Sequence, residues 1–309
     1  MDRSDRSFLV SKVELEILIC APNGCADASA LLDALADFDL SDKTITILEF
    51  GPNCTQTNNL KLPKEKVEHR HFEEFGDMGM RQQSFLSSTA TWMAYLEDHA
   101  LPDTDFFSEL VAYLKQEFPA DAITFYSKNG TPNSVGSRAV YNWVWGESEV
   151  SLFPNKPEPV CSAFLVNREA AVAEINKRGG ALQKGELEML IIPELIQHDH
   201  KSISYKIAIR HFEDVNLFTA IKAVASNGRV TGNLEKNLLP RKGWLRHMLR
   251  RYFLRSARIR RVGSYNFIDS MCLEFMAISG FIGVITGRYF GMGRAELELA
   301  HAHPVVKEI

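Results

Sequence analysis

The chain has 309 residues, enough for one large domain or for a domain with an extension. Its formal net charge of −4 gives no sign of nucleic-acid binding, and its 5 cysteines are odd in number, scattered and without a CxxC pair, which excludes a disulfide framework or a structural zinc site and fits a reducing compartment. The opening MDRSDRSFLV has no apolar core of a secretory leader, and the longest near-apolar run, Met276 to Thr286, falls short of the roughly 20 residues a bilayer span requires. A soluble or membrane-surface protein is expected, in the cytoplasm or peripheral on the cytoplasmic face of a membrane.

Val13 to Cys20 (VELEILIC) reads as a buried strand ending at the loop signal Ala21-Pro22-Asn23-Gly24. Ala28 to Phe38 places Leu31, Leu32, Leu35 and Phe38 at helical spacing. Thr44 to Phe50 is a second strand, stopped by Gly51-Pro52, and Gly79 to Ala90 suits a helix. Thr91 to Leu96 is a third strand, followed at once by Glu97-Asp98-His99. Asp103 to Phe118 is helical, with Asp103 or Thr104 as N-cap, and Ala122 to Tyr126 is a fourth strand. Strands alternating with helices predict an α/β fold, a mostly parallel central sheet with helices on both faces, whose ligands sit at the carboxyl ends of the strands. The loops Ala21 to Cys25, Glu49 to Asn53 and Glu97 to Pro102 occupy those ends.

Ser127 to Pro159 reads as less regular, with Trp143 and Trp145 inside it; both suit core packing. Cys161 to Val166, Leu187 to Ile192 and Glu194 to Gln197 read as short strands, and from about Asp214 the pattern turns helical. Residues 1–215 are expected as the main domain and 216–309 as a helical C-terminal region.

Arg241 to Arg261 holds nine Lys or Arg and no acid, with Trp244, Leu245, Met248, Leu249, Tyr252 and Phe253 at helical spacing. This basic amphipathic segment suits an anionic membrane surface, or packing of its apolar stripe on the domain with arginines facing solvent. A nucleic-acid patch fits poorly with the acidic remainder. Phe267 to Phe290 suits a second apolar helix, with Gly280, Gly283 and Gly287 permitting close packing.

The run from Gly79 to Leu110, GMRQQSFLSSTATWMAYLEDHALPDTDFFSEL, resembles the central block of family 2 glycosyltransferases: a helix with an arginine (Arg81), an apolar strand, an acidic cluster (Glu97-Asp98-His99), a proline (Pro102) and a further helix. Leu15 to Pro22 resembles that family's first strand and nucleotide-facing loop. Ile47 to Gly51 resembles the second strand, with Glu49 at the position of the base-contacting acid. Pro159 to Arg168 resembles the strand beside the acceptor site, and His198-Asp199-His200 the late strand end whose histidine helps hold metal. Glu-Asp-His stands where the family usually has aspartates.

The resemblance implies a GT-A type nucleotide-diphospho-sugar transferase fold and transfer of a sugar from a UDP- or GDP-type donor to an acceptor hydroxyl. It further implies a sugar, lipid-linked or polysaccharide acceptor, an inverting reaction, and a role in cell-surface polysaccharide or glycolipid synthesis. Ala21, Pro22, Asn23, Glu49, Arg81 and Glu97 are then expected at the donor. A departing diphosphate needs a divalent cation, Mn²⁺ or Mg²⁺. Asp98 is the first choice of carboxylate ligand, joined by His99 and by His198 or His200, which share a face if they lie on a strand. His69-His71 and His301-His303 read as surface residues. Glu186, with Glu188 as alternate, is the candidate base. A catalytically degenerate binding or scaffolding protein on the same fold is the alternative. The absence of GxGxxG and GxxxxGK[ST] patterns speaks against the commonest unrelated nucleotide-binding enzymes.

Overall fold

The computed structural model describes residues 14–21, 28–38, 43–50, 61–62, 67–72, 77–116, 119–146, 163–180, 186–198, 203–212, 215–238, 241–262 and 265–291. In chain order the elements are β1 (Leu15–Ala21), α1 (Ser29–Leu35), β2 (Lys43–Phe50), β3 (Val67–Phe72), α2 (Asp77–Ser87), β4 (Trp92–Glu97), β5 (Ala100–Pro102), α3 (Phe106–Leu114), β6 (Ala122–Asn129), α4 (Val135–Trp145), β7 (Phe164–Asn167) and α5 (Arg168–Lys177). A π-helical turn, Leu187–Ile191, then runs into α6 (Ile192–His198), followed by β8 (Ile203–His211) and α7 (Leu217–Leu238). The last four helical segments are α8 (Arg241–Leu249), a second π turn (Arg250–Leu254), α9 (Arg255–Val262) and α10 (Phe267–Phe290).

The strands form one eight-stranded sheet in the order β3-β2-β1-β4-β7-β6-β8-β5. The β3-β2-β1-β4 half is wholly parallel, as the strand–helix alternation predicts. The other half is mixed: β7 runs antiparallel to both β4 and β6, β8 is parallel to β6, and β5 is antiparallel to β8. The expectation of a mostly parallel sheet is corrected accordingly. β5 follows β4 after only Asp98 and His99, too few residues for the crossover a parallel return requires, so it runs back along the sheet.

Alternation along β1 shows why the sheet is covered on both faces. Ile17, Ile19 and Ala21 enter one core with Leu31, Leu32 and Leu35 of α1 and Phe106, Phe107 and Leu110 of α3. Leu18 and Cys20 enter the opposite core with Met80 and Phe85 of α2 and Leu195 and Ile196 of α6. Glu16 breaks the apolar run, yet it is buried because its carboxylate accepts hydrogen bonds from Thr46 Oγ1 (2.6 Å) and Ser88 Oγ and pairs with Arg70 Nη2 (3.0 Å).

Three local expectations are revised. Leu187 to Ile192 and Glu194 to Gln197 are helical, not strands; a short apolar run is ambiguous between the two states, and here one stripe of it packs on the sheet. The irregular stretch after Ser127 contains α4, whose N-cap Ser134 accepts from the Ser137 N–H. The residue before α3 is Asp105 and its side chain makes no cap; Asp103, expected as cap, pairs with Lys128 and with Arg210 Nε at 3.2 Å.

A third core joins α4 to α7, α8, α9 and α10. Trp244, Met248, Tyr252 and Ile259 turn into it, so the main apolar stripe of the basic segment packs on the protein. The helices α7 and α10 run in the same direction, because a Cβ on Gly283 would lie 2.1 Å from the Ala225 carbonyl oxygen and one on Gly287 would lie 1.9 Å from that of Arg229. Only glycine permits this approach. The 24-residue α10 is long and apolar enough to cross a membrane by length and composition, unlike the shorter run picked out from sequence, though 44% of its most apolar window is buried in the fold.

Candidate metal centre

The register places Ala21 opposite Glu49 and Cys20 opposite Glu97, so the ends of β1, β2 and β4 share one carboxyl edge. Pro22 and Asn23 lie outside the described residues, as does the Glu49 side chain. Asp98 and His99 make the turn after β4, anchored by the Asp98 N–H on the Cys20 carbonyl (3.1 Å). The chain then enters β5, where Ala100 pairs with His211 of β8, and the Phe212 N–H donates to the His99 carbonyl (2.9 Å). This short antiparallel ladder brings together two histidines 112 residues apart.

Glu97, His99 and His211 converge, each offering one ligand atom within 4.8 Å of the others. Nε2 of His99 stands 2.9 Å from Nε2 of His211, which stands 2.6 Å from Oε2 of Glu97, and His99 Nε2 is 3.6 Å from that same oxygen. Neighbouring ligands of an octahedral ion bound at about 2.1 Å are about 3.0 Å apart, so these separations fit one cation. The proton arrangement agrees. Nδ1 of His99 lies 2.6 Å from Asp98 Oδ1, and an ionised carboxylate only accepts, so Nδ1 carries the hydrogen and Nε2 presents its lone pair inward. Two imidazoles and one carboxylate suit Mn²⁺ better than Mg²⁺, which prefers all-oxygen sets.

Burial alone would raise the Glu97 carboxyl; the His211 hydrogen bond, together with the charges of His211, Arg81 and His99, more than offsets this and holds it at about 2. Arg81, on α2, is buried with Nη2 3.6 Å from Glu97 and Nη1 3.5 Å from Glu188. Its backbone carbonyl accepts from the Tyr95 hydroxyl at 3.1 Å. Trp145 closes the buried side of His211, with ring centroids 4.3 Å apart.

Several expectations change here. Asp98, expected as the carboxylate ligand, is not in the Glu97-His99-His211 group; its Oδ1 lies 2.6 Å from Nδ1 of His99. Glu97, expected at the donor, lies in that group, which could hold a metal ion. Arg81, expected at the donor, lies between the carboxylates of Glu97 and Glu188. His198 ends α6 with its side chain outside the described residues, and His200 lies outside them altogether. His211, the third member of the group, has a faint signal in sequence, the alternation Ile207-Ala208-Ile209-Arg210-His211 of a strand ending on a ligand-type residue. Glu186 is half-buried at the start of the π turn and Glu188 is buried within it. Trp143 is buried, stacked on Tyr252 at 5.9 Å.

No family model and no curated protein matches the chain. Among solved structures it is similar to glucosyl-3-phosphoglycerate synthase from Mycobacterium tuberculosis, in a complex with Mn²⁺, UDP-glucose and phosphoglyceric acid (14% identity, 74% of this chain, 81% of that one, TM-score 0.46). It is also similar to a mannosyltransferase from Pyrobaculum calidifontis in complex with GDP-mannose and Mn²⁺ (11%, 88% and 72%, 0.41). A third similarity is to S. aureus TarS 1–349 in complex with UDP-GlcNAc (10%, 89% and 90%, 0.41). At these identities and scores the likeness assigns no residue a role.

Proposed function

We propose that this protein is a divalent-metal-dependent glycosyltransferase that moves a sugar from a nucleotide-diphosphate donor to an acceptor hydroxyl. The observation that carries this reading is the convergence of Glu97, His99 and His211 at the carboxyl edge of the sheet, beside the ends of β1 and β2. A cation held by these three side chains, Mn²⁺ in preference to Mg²⁺, would offset the charge that grows on a departing diphosphate. The Arg81 guanidinium, 3.6 Å away, favours the ionised form of Glu97. Asp98 fixes the His99 tautomer, and Trp145 packs against the His211 ring. Ala21 and Glu49, on adjacent strand ends, would take the nucleoside, which is UDP- or GDP-type on this reading, and residues 1–215 would form the transferase domain. Glu186 is the proposed base for the acceptor hydroxyl, since Glu188 is engaged by Arg81. A sugar, lipid-linked or polysaccharide acceptor and an inverting course complete the proposal.

The test is calorimetric titration of UDP and GDP with and without Mn²⁺, on wild type and His211→Ala. Metal-dependent binding of one nucleotide, lost in the variant, is the expected result. Nucleotide binding indifferent to both metal and His211 would refute the metal-dependent reading. Binding without release of nucleoside diphosphate from any sugar donor would leave a binding protein in place of an enzyme.

A further inference from the structure

The C-terminal helices present a surface that the metal centre does not use. On α10, Ile268, Met271, Phe275, Ile278, Ile282 and Tyr289 follow a 3–4 spacing along one face, and all are exposed, Phe275 by 46% and Ile282 by 57%. The helix spans about 36 Å at 1.5 Å per residue. Its three charged residues leave this stripe uncharged: Asp269 and Arg288 are buried, and Glu274 is bound by Arg260 and Ser256. The opposite face, with Leu273, Met276, Gly280 and Val284, is packed inside the third core, so α10 is fixed lengthwise on the protein.

Alongside runs the basic leg α8–α9, antiparallel to α10. Trp244 at its start meets Tyr289, Phe253 in its middle meets Phe281 at 5.6 Å, and Arg260 at its end reaches Glu274 at 2.6 Å. With its main stripe buried, this leg exposes Leu245 and Leu249 together with Arg246, Arg250, Arg258 and Arg261. The result is an uncharged apolar ridge with a cationic rim, on a chain whose total charge is negative.

We propose that this face docks on an anionic lipid bilayer, with α10 lying in the plane of the interface and its outer stripe inserted, while the arginines of α8–α9 meet the headgroups. The rim's charge selects lipid over a second copy of the chain. An isologous dimer sets the same patch against itself and brings no net counter-charge, whereas an anionic leaflet supplies one. Nothing in this assignment depends on the metal centre.

The experiment is flotation of the full chain with vesicles of phosphatidylcholine alone or with about one third phosphatidylglycerol. Wild type should float with the anionic vesicles and scarcely with the neutral ones. Phe275→Ser/Ile282→Ser should abolish flotation, and Arg246→Glu/Arg250→Glu should weaken it at least about tenfold. All of these positions are exposed, so thermal unfolding should match wild type; if the serine pair unfolds the protein, the charge-reversed pair decides. No flotation, equal flotation with both vesicles, or retention by the variants overturns the proposal. So does a lipid-free dimer in sedimentation velocity that the serine pair dissociates, which would assign the stripe to a second copy.

Discussion

His99 and His211 face each other ring nitrogen to ring nitrogen, 2.9 Å apart, although more than a third of the chain separates them in sequence. Neutral imidazoles so placed need either one shared hydrogen or one shared cation between them. A cation should therefore bind with a large dependence on both rings. His211→Ala is expected to reduce Mn²⁺ affinity by more than about a hundredfold, measured by electron paramagnetic resonance titration of free Mn²⁺. An unchanged affinity would place the ion elsewhere.

Asp98→Asn should be milder, because Asp98 acts through His99. A loss of roughly 10- to 100-fold in Mn²⁺ affinity is expected, smaller than for Glu97→Gln or His211→Ala. The reverse order of effects would make Asp98 a direct ligand after all.

Glu97 links the centre to acid stability. Its folded-state carboxyl sits at about 2 against an ordinary 4.5. A depressed carboxyl stabilises the fold fully above the ordinary value and loses that contribution as pH falls from about 4.5 toward 2. The contribution is at most roughly 3 kcal/mol. In metal-free protein, urea midpoints should fall more steeply between pH 5 and 3 for wild type than for Glu97→Gln. Parallel slopes would show that Glu97 is not held ionised by its neighbours.

Glu186 and Glu188 should separate by phenotype. Glu186→Gln is expected to lower sugar transfer by about 10²- to 10⁴-fold with nucleotide binding and stability intact. Glu188→Gln removes one partner of buried Arg81 and should cost stability of about 3 kcal/mol or more. Denaturant unfolding and turnover, measured together, distinguish the two; full turnover in Glu186→Gln removes it from the mechanism.

Gly287→Ala should destabilise by about 1–3 kcal/mol or more, since the added carbon would sit 1.9 Å from the Arg229 carbonyl oxygen, a backbone atom that cannot rotate away. A fall in melting temperature of several degrees checks this, and a neutral result would mean that α7 and α10 can separate without cost.

The sequence carried β1, β2 and β4 because they are short apolar runs bounded by turn residues, but not β3, whose VEHRHF is polar and half exposed at the sheet edge. It carried Glu97 and His99 because they follow directly on a strand. It did not carry the β7 reversal, because a strand's direction depends on its neighbours and leaves little trace in four residues such as Phe164–Asn167. The same holds for Leu187 to Ile191, where apolar residues in succession satisfy a strand and a buried helix alike. His211 was hidden for a further reason: its partnership with His99 exists only through the β5–β8 ladder, whose shorter strand has three residues.

The shared direction of α7 and α10 has a topological cost. Two consecutive long helices that run the same way must be joined by a connection as long as themselves, and the α8–α9 leg is that connection. Its length is therefore dictated before its charge is. Without that length α10 could not start level with α7, and Gly283 and Gly287 would not meet the carbonyls of Ala225 and Arg229. The arginines ride on a segment the fold cannot omit, so the extent of this surface is set by how α7 and α10 pack.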